Sequence, residues 1–306
     1  MKDALVGYTG FVGSNIAAKH SFSELYNSKN IYKAYGTCPD LLVYAGVPSA
    51  MYLANNFPDK DFAVIQNAIE NIKKIQPRKV VLVSTIAVYD NPIEAYEDTV
   101  IDKSKLSVYG RNRKLLEEYV ENYFEKSLII RLPALFGMNL KKNFIYDFIH
   151  VIPMMLKEDK FKELLAQDNL IRNYYTLQNN GFYKVKNLNG EDRNRLKTYF
   201  KKIGFTALNF TDSRSVYQFY NLAYLWKDIT IALSKQISKL NIATEPIQIA
   251  ELFKLLTGQD FVNALDGKPY YYDFKTHYAE VLGGENGYLY NKASIVNDLK
   301  CFIGGQ

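Results

Sequence analysis

The sequence predicts an α/β protein: a parallel sheet with helices on both faces, plus a smaller C-terminal lobe. Three observations carry this. Short, uninterrupted apolar runs alternate with segments of helical periodicity, the signature of strands buried on both faces. The first run, Ala4-Leu-Val, ends in glycines at 7, 10 and 13 just where a helix begins. And 306 residues, 48% hydrophobic and 23% charged, supply enough core for one large domain and an appended lobe.

Each element follows in order. After the glycine turn, Ser14 to about Lys19 reads as a short helix, and Phe22–Asn27 as a second strand closed by Asn27-Ser-Lys-Asn30. Asp40-Leu-Leu-Val-Tyr-Ala-Gly46 is a buried-type strand ending in small residues. Phe62, Ile65, Ile69 and Ile72 mark the apolar face of a helix over Asp61–Ile75, stopped by Pro77. Lys79–Thr85 is a strand, Leu106–Phe124 a long helix, and Ser127–Leu132 a strand before Pro133. From about Lys141 the rhythm changes. Residues 157–207 are rich in Lys, Asn and Tyr, with a turn at Asn179-Asn-Gly181 and a polar helix near Glu191–Lys202. Ser215–Leu240 reads as helical around Trp226, and further helices end near Gly258 and follow the loop Gly283–Gly287. The expected division is 1–140 for the sheet domain, with a returning part around 210–250. Residues 141–209 and 251–306 are expected to form a lobe over the carboxyl edge of the sheet.

Composition narrows the function. The net charge of +6 comes from basic residues set among acidic neighbours, as in Lys157-Glu-Asp-Lys160, so no nucleic-acid stripe is expected. Cys38 and Cys301 make no disulfide framework, and His20, His150 and His277 show no metal-ligand spacing. No run approaches the roughly 18 apolar residues of a membrane span. With no basic, apolar leader visible, a cytoplasmic location is expected.

The chemistry-bearing residues lie on the predicted edge. Glycines at 7, 10 and 13 allow backbone N–H groups of Thr9–Gly13 (Thr9, Gly10, Phe11, Val12, Gly13) to approach phosphate oxygens. Ser84 and Thr85 end a central strand, as Ala45 and Gly46 end another. Tyr109 and Arg113 stand one turn apart on a helix, where a cation would lower the phenol's pKa toward acid/base use. Singly, each is more simply a strand end or a helix residue over the core; together with the glycine turn they describe a site.

Gly7-x-x-Gly10-x-x-Gly13, Ser84-Thr85-x-x-Val88-Tyr89, Tyr109-x-x-x-Arg113 and Arg131-Leu-Pro-Ala-Leu-Phe-Gly137 occur in the order of the extended short-chain dehydrogenase/reductase superfamily. Over its first 140 residues the chain resembles that superfamily's nucleotide-sugar epimerases, dehydratases and reductases. The resemblance implies a Rossmann domain binding NAD or NADP, and a lobe holding a nucleotide-linked sugar. It implies Tyr109 as the acid/base, Thr85 as its hydroxyl partner and Arg113 at the nicotinamide ribose. Gly7, Thr9, Gly10, Phe11, Val12, Gly13, Ala45, Gly46, Ser84 and Pro133 would line the cofactor, and Thr85, Asn143 and Tyr220 the substrate. It also implies a homodimer through the Tyr109 helix and its neighbour.

The departures from the family pattern matter. Arginine stands at 113 where the family usually has lysine; it keeps the charge but is planar and never gives up a proton. Ile86-Ala87 follows Thr85, where dehydratases of the family carry an acidic pair, so dehydration lacks its acid and base. Ala134 replaces a substrate-binding asparagine, leaving Asn143 as the nearby candidate. No carboxylate clearly follows the second strand, and Ser28-Lys29 tilts the cofactor toward NADP. Two readings result: an epimerase or reductase of nucleotide-linked sugars, or a cofactor-binding sensor or scaffold without catalysis.

Overall fold

A computed structural model describes residues 2–49 and 51–305. Strand β1 (Asp3–Val6) leads into α1 (Phe11–Ala17), then β2 (Glu24–Tyr26) and β3 (Leu41–Tyr44). Helices α2 (Met51–Asn56) and α3 (Pro58–Ile75) precede β4 (Val80–Thr85), α4 (Val108–Tyr123), β5 (Ser127–Leu132) and β6 (Ala134–Phe136). Next come α5 (Phe144–His150), β7 (Met155–Lys157), α6 (Glu158–Gln167), β8 (Tyr175–Leu177), β9 (Phe182–Val185) and α7 (Gly190–Lys202). The chain ends with β10 (Val216–Tyr217), β11 (Phe219–Asn221), α8 (Leu225–Ser234), β12 (Lys239–Asn241), β13 (Ile247–Gln248), α9 (Ile249–Thr257) and α10 (Lys292–Gly304).

Six strands form the main sheet in the order β12-β5-β4-β3-β1-β2, every pair parallel. Alternation along each strand explains the apolar runs. Leu5, Val43, Val81 and Ile130 face one core with α1 and α8 residues Ile16, Leu225 and Ile229. Ala4, Val6, Leu42, Leu82 and Ile129 face another with Ile65 and Ile72 of α3 and Leu116 and Val120 of α4. Both faces are therefore covered, as a parallel sheet requires. Because β2 and β3 lie on opposite sides of β1, the strand order reverses there, opening a crevice at the carboxyl ends of β1 and β3.

The chain divides into two compact units. The first holds residues 1–140, 216–260 and 270–305; the second holds 141–215 and 261–269. The expected lobe thus loses most of its C-terminal segment. Tyr290 donates to Asp228 of α8 at 3.1 Å, and the Lys292 N–H to Glu245 at 2.7 Å, which tie α10 and its approach to the sheet unit. Nor is 215–240 one helix. Its ends pair as strands with β6, β13 and β5, so long-range partners override the local helical pattern.

The second unit is an antiparallel sheet, β7-β9-β8, under α6 and α7, with its own core of Leu156, Phe161, Leu164, Tyr175, Leu196 and Phe200. Gly181, at φ +79°, makes the predicted turn between β8 and β9. Helix α5 is bracketed by Asn143 at φ +116° and Val151 at φ +66°. With ψ 178°, Asn143 lies in a region left almost wholly to glycine, and Val151 is β-branched, so each junction stores strain of about 1–3 kcal/mol.

Candidate active site

The glycine turn sits in the crevice where strand order reverses. Gly7 adopts φ +92°, and its N–H donates to the Tyr26 carbonyl at 2.7 Å. A Cβ there would lie 2.5 Å from the Ala45 carbonyl oxygen, so the ends of β1 and β3 can meet only over glycine. A Cβ on Gly13 would come 2.1 Å from the Gly7 carbonyl oxygen, which presses α1 onto the turn. Gly10 is the N-cap of α1 and supplies no capping side chain. Phe11 and Val12 are half-buried and pack against the core, and Thr9 is exposed in the turn. Asn15, overlooked in the sequence, anchors this arrangement: its amide donates to Phe11 and Met138 carbonyls at 2.8 Å and accepts the Met138 N–H at 3.0 Å.

Beside the turn lies a cleft of about 110 Å³ whose lining includes Ser28, Tyr44, Gly46, Val47, Asn67 and Asn71. Burial pushes the Tyr44 phenol up to about 12, so it stays neutral and accepts from the Asn71 amide at 3.4 Å. Ser28 and Gly46 therefore fall in one place; Lys29 is exposed in the turn after β2. Pro133 follows the carboxyl end of β5. The backbone-to-backbone packing at Gly7 and Gly13 sets the turn and the start of α1 beside the adjoining cleft, the layout in which an α/β sheet holds a dinucleotide's phosphates.

Tyr109 is brought to the edge by an unusually close approach. Ser107 caps α4 by accepting the Gly110 N–H at 3.1 Å, and a Cβ on Gly110 would lie 2.0 Å from the Ala87 carbonyl oxygen. The first turn of α4 can thus seat against the loop after β4. Thr85 caps that loop by accepting the Ala87 N–H at 3.2 Å, and its hydroxyl lies within reach of the Tyr109 phenol.

Arg113 behaves differently from the expectation. Its guanidinium lies over the Tyr109 ring, 4.3 Å from the centroid, but it is paired with Asp61 of α3. Nη1 donates to Asp61 Oδ2 at 2.9 Å and Nη2 to Oδ1 at 3.0 Å, and Nη2 also donates to the Pro48 carbonyl at 2.8 Å. Asn112 donates to the same carboxylate at 2.8 Å. Arg113 is 5% exposed and Asp61 1%. The cation is therefore neutralised in place, and the phenol's pKa is not lowered. Burial raises it above the ordinary tyrosine value and Asp61 adds to that, outweighing the pull of Arg113 and Thr85. Asp61 is the residue the sequence hid: the helical face was assigned through Phe62, which is 40% exposed, while Asp61 points inward.

Three further sequence candidates are occupied elsewhere. The Ser84 hydroxyl donates to Glu117 at 2.6 Å, inside a buried network in which Arg131 pairs with Glu117 at 2.7 Å and donates to the Tyr89 hydroxyl at 2.6 Å. The Glu117 and Arg131 side chains are fully buried, so the motif residues Ser84, Tyr89 and Arg131 brace α4 against the sheet. Tyr220 is also fully buried, donating to Asp228 at 2.6 Å; it lines no site. Asn143, in the second unit, caps α5 by accepting from the Ile145 and Tyr146 N–H groups at 3.0 and 3.1 Å. Among the described residues there is no cluster of three potential metal ligands, and no helix is long and apolar enough to cross a membrane.

A glycine turn at the strand-order reversal and a strand-end threonine beside a helical tyrosine define the class: a doubly wound α/β protein with a tyrosine at the carboxyl edge of its sheet. Residues 24–169 match the model of the NAD dependent epimerase/dehydratase family. Comparison with curated protein sequences gives no significant match. Among solved structures, UDP-glucose 4-epimerase from Thermotoga maritima, with UDP-glucose, is similar over 99% of this chain and 98% of its own, at TM-score 0.63 and 13% identity. The dTDP-4-dehydrorhamnose reductase of Bacillus anthracis, in complex with NADP, is similar over 100% of both chains, at TM-score 0.63 and 14% identity. MoeE5, in complex with UDP-glucose and NAD, is similar over 99% of this chain and 98% of its own, at TM-score 0.61 and 13% identity. At such identities these likenesses concern the fold.

Proposed function

We propose that the protein is an NAD(P)-dependent enzyme acting on a nucleotide-linked sugar, with Tyr109 as its acid/base, and that it works in the direction of carbonyl reduction. The observation that carries the direction is the Arg113–Asp61 pair. Burial, with the pull of Arg113 offset in part by Asp61, leaves Tyr109 a neutral phenol, which can give a proton to a carbonyl oxygen but is poorly suited to take one from a carbinol. An epimerase needs the same group to do both. The bound nicotinamide would supply the hydride. Gly7–Gly13 would hold its pyrophosphate, and the cleft at Ser28, Tyr44 and Gly46 its adenosine end. Thr85 would orient the substrate oxygen toward Tyr109. The absence of a carboxylate in Asn27-Ser-Lys29 supports NADP over NAD. A cleft of about 420 Å³ beside α3 and α4, lined in part by Phe62 and Leu115 (40% and 38% exposed), supports a homodimer through these helices.

The test is consumption of reduced cofactor with nucleotide-linked keto sugars. Tyr109→Phe should lower turnover by about 10²–10⁴-fold while cofactor affinity stays the same; unchanged turnover ends the proposal. The same neutralised arginine favours a second reading, a cofactor-binding protein with little catalysis. That reading predicts tight binding of NADPH or NADH and no consumption with any such sugar.

A further inference from the structure

The net charge of +6 is not spread along the chain. Residues 141–215 hold 14 Lys and Arg against 8 Asp and Glu, whereas the rest of the chain holds 24 of each. The scatter expected from local neighbours such as Lys157-Glu-Asp-Lys160 hides this excess. Within the second unit, Lys160, Lys162 and Arg214 each have a carboxylate partner. Arg193, Lys197 and Lys201 do not form an ion pair among the described residues, although their spacing of four puts them along one side of α7.

That side meets the end of α5. The Lys197 ammonium donates to the Ile149 carbonyl at 3.3 Å, next to His150. The His150 and Tyr146 rings lie 4.0 Å apart. We propose that Tyr146, His150, Arg193 and Lys197 form a binding site for a phosphate group. The set offers a guanidinium, an ammonium, an imidazole N–H and a phenol O–H, all able to donate to an oxyanion. None of the four forms an ion pair with a carboxylate among the described residues, though Asp147 acts on the Tyr146 phenol. Asp192 accepts from the Tyr174 hydroxyl at 2.8 Å, and Asp147, the carboxylate on α5, is pushed up to about 7 by its own burial. The cations meanwhile press on one another. Burial, then Lys197 and Arg193, lower the proton affinity of His150; burial, then Arg193 and Lys201, lower that of Lys197. Such crowding is relieved by an anion.

The inference does not rest on the reading of Tyr109. The phosphate could belong to a nucleotide-linked sugar or to a separate phosphorylated small molecule, and the experiment separates them. With only His20, His150 and His277 in the chain, imidazole NMR of the full-length protein resolves each ring. Inorganic phosphate, glycerol phosphate and UDP-glucose are titrated at constant ionic strength set with KCl. The His150 signal, identified by its loss in His150→Gln, should shift saturably and titrate at higher pH when the anion is bound, while His20 and His277 stay put. Arg193→Gln with Lys197→Gln should weaken the apparent affinity at least about tenfold; unmoved His20 and His277 signals report that this variant is folded. Saturation by UDP-glucose at the lowest concentration assigns the site to the nucleotide-linked ligand; saturation by the other two alone assigns it to a separate ligand. A stationary His150 signal, equal movement of all three, or an undiminished response in the double variant would overturn the proposal.

Discussion

Asp61→Asn separates the charge of Arg113 from its position. The wild-type pair is bidentate, and its side chains are 5% and 2% exposed, so the carboxylate cancels the guanidinium beside the Tyr109 ring. Asparagine keeps the shape and can still accept one of these bonds, but it leaves a buried cation. Breaking a buried pair on one side costs about 3–5 kcal/mol. Against a total stability of about 5–15 kcal/mol the variant should fold, with a clearly lower urea midpoint. The uncancelled cation, with its carbon 4.3 Å from the ring centroid, now favours phenolate. An uncancelled opposite charge so close to an ionisable group moves its pKa by about 1–3 units. The sign follows from the role of the proton. Reduction needs the phenol protonated, so the alkaline fall in kcat should move to lower pH, while the reverse oxidation should gain at neutral pH. The assay is the pH–rate profile in both directions, beside the double variant Asp61→Asn with Arg113→Met. Removing both charges should restore much of the stability and return the alkaline limb toward its wild-type position. An alkaline limb that stays put in Asp61→Asn would refute the electrostatic argument, even if stability falls as expected.

Other perturbations test the frame around the site. Gly13→Ala places a Cβ 2.1 Å from the Gly7 carbonyl, a backbone contact that cannot swing away; fluorescence titration should show loss of NADPH binding, and unfolding should show about 1–3 kcal/mol of destabilisation. Glu117→Gln leaves Arg131 buried without its counter-ion and should cost about 3–5 kcal/mol by urea unfolding. Asp147→Asn has a pH signature. Burial raises this carboxyl from its ordinary value to about 7, so the stability it contributes is full below about pH 4 and lost as pH rises through 7. The variant should match wild type in acid and exceed it in thermal stability at pH 8.

The sheet was readable because strands buried on both faces are near-continuously apolar, and Ala4–Val6, Leu41–Tyr44, Val80–Val83 and Leu128–Ile130 satisfy that locally. The glycine turn was readable for a related reason: close backbone approach at Gly7 and Gly13 admits one residue type. What was hidden depends on partners far along the chain. Strands β10, β11 and β12 are two or three residues long, too short for periodicity to separate them from the neighbouring helix, and β6, β13 and β5 decide their state. Polarity likewise misassigned the inner face of α3. It set Phe62 inside and Asp61 out, since a buried carboxylate is disfavoured unless a cation meets it, and that cation lies 52 residues away.

The same pair explains why a motif can survive while its chemistry changes. In Tyr109-x-x-x-Arg113 the spacing still delivers a cation to the tyrosine, as the geometry over the ring shows. A lysine at 113 would offer a point charge with rotatable donors. The planar guanidinium instead matches a carboxylate in two places at once, and Asp61 meets it in that way. Once paired, the cation fixes the packing of α4 on α3 while ceasing to act at full strength on the phenol. The proton affinity of Tyr109 is then governed mainly by its burial, and the direction of proton transfer that suits it follows from Asp61 as much as from Arg113.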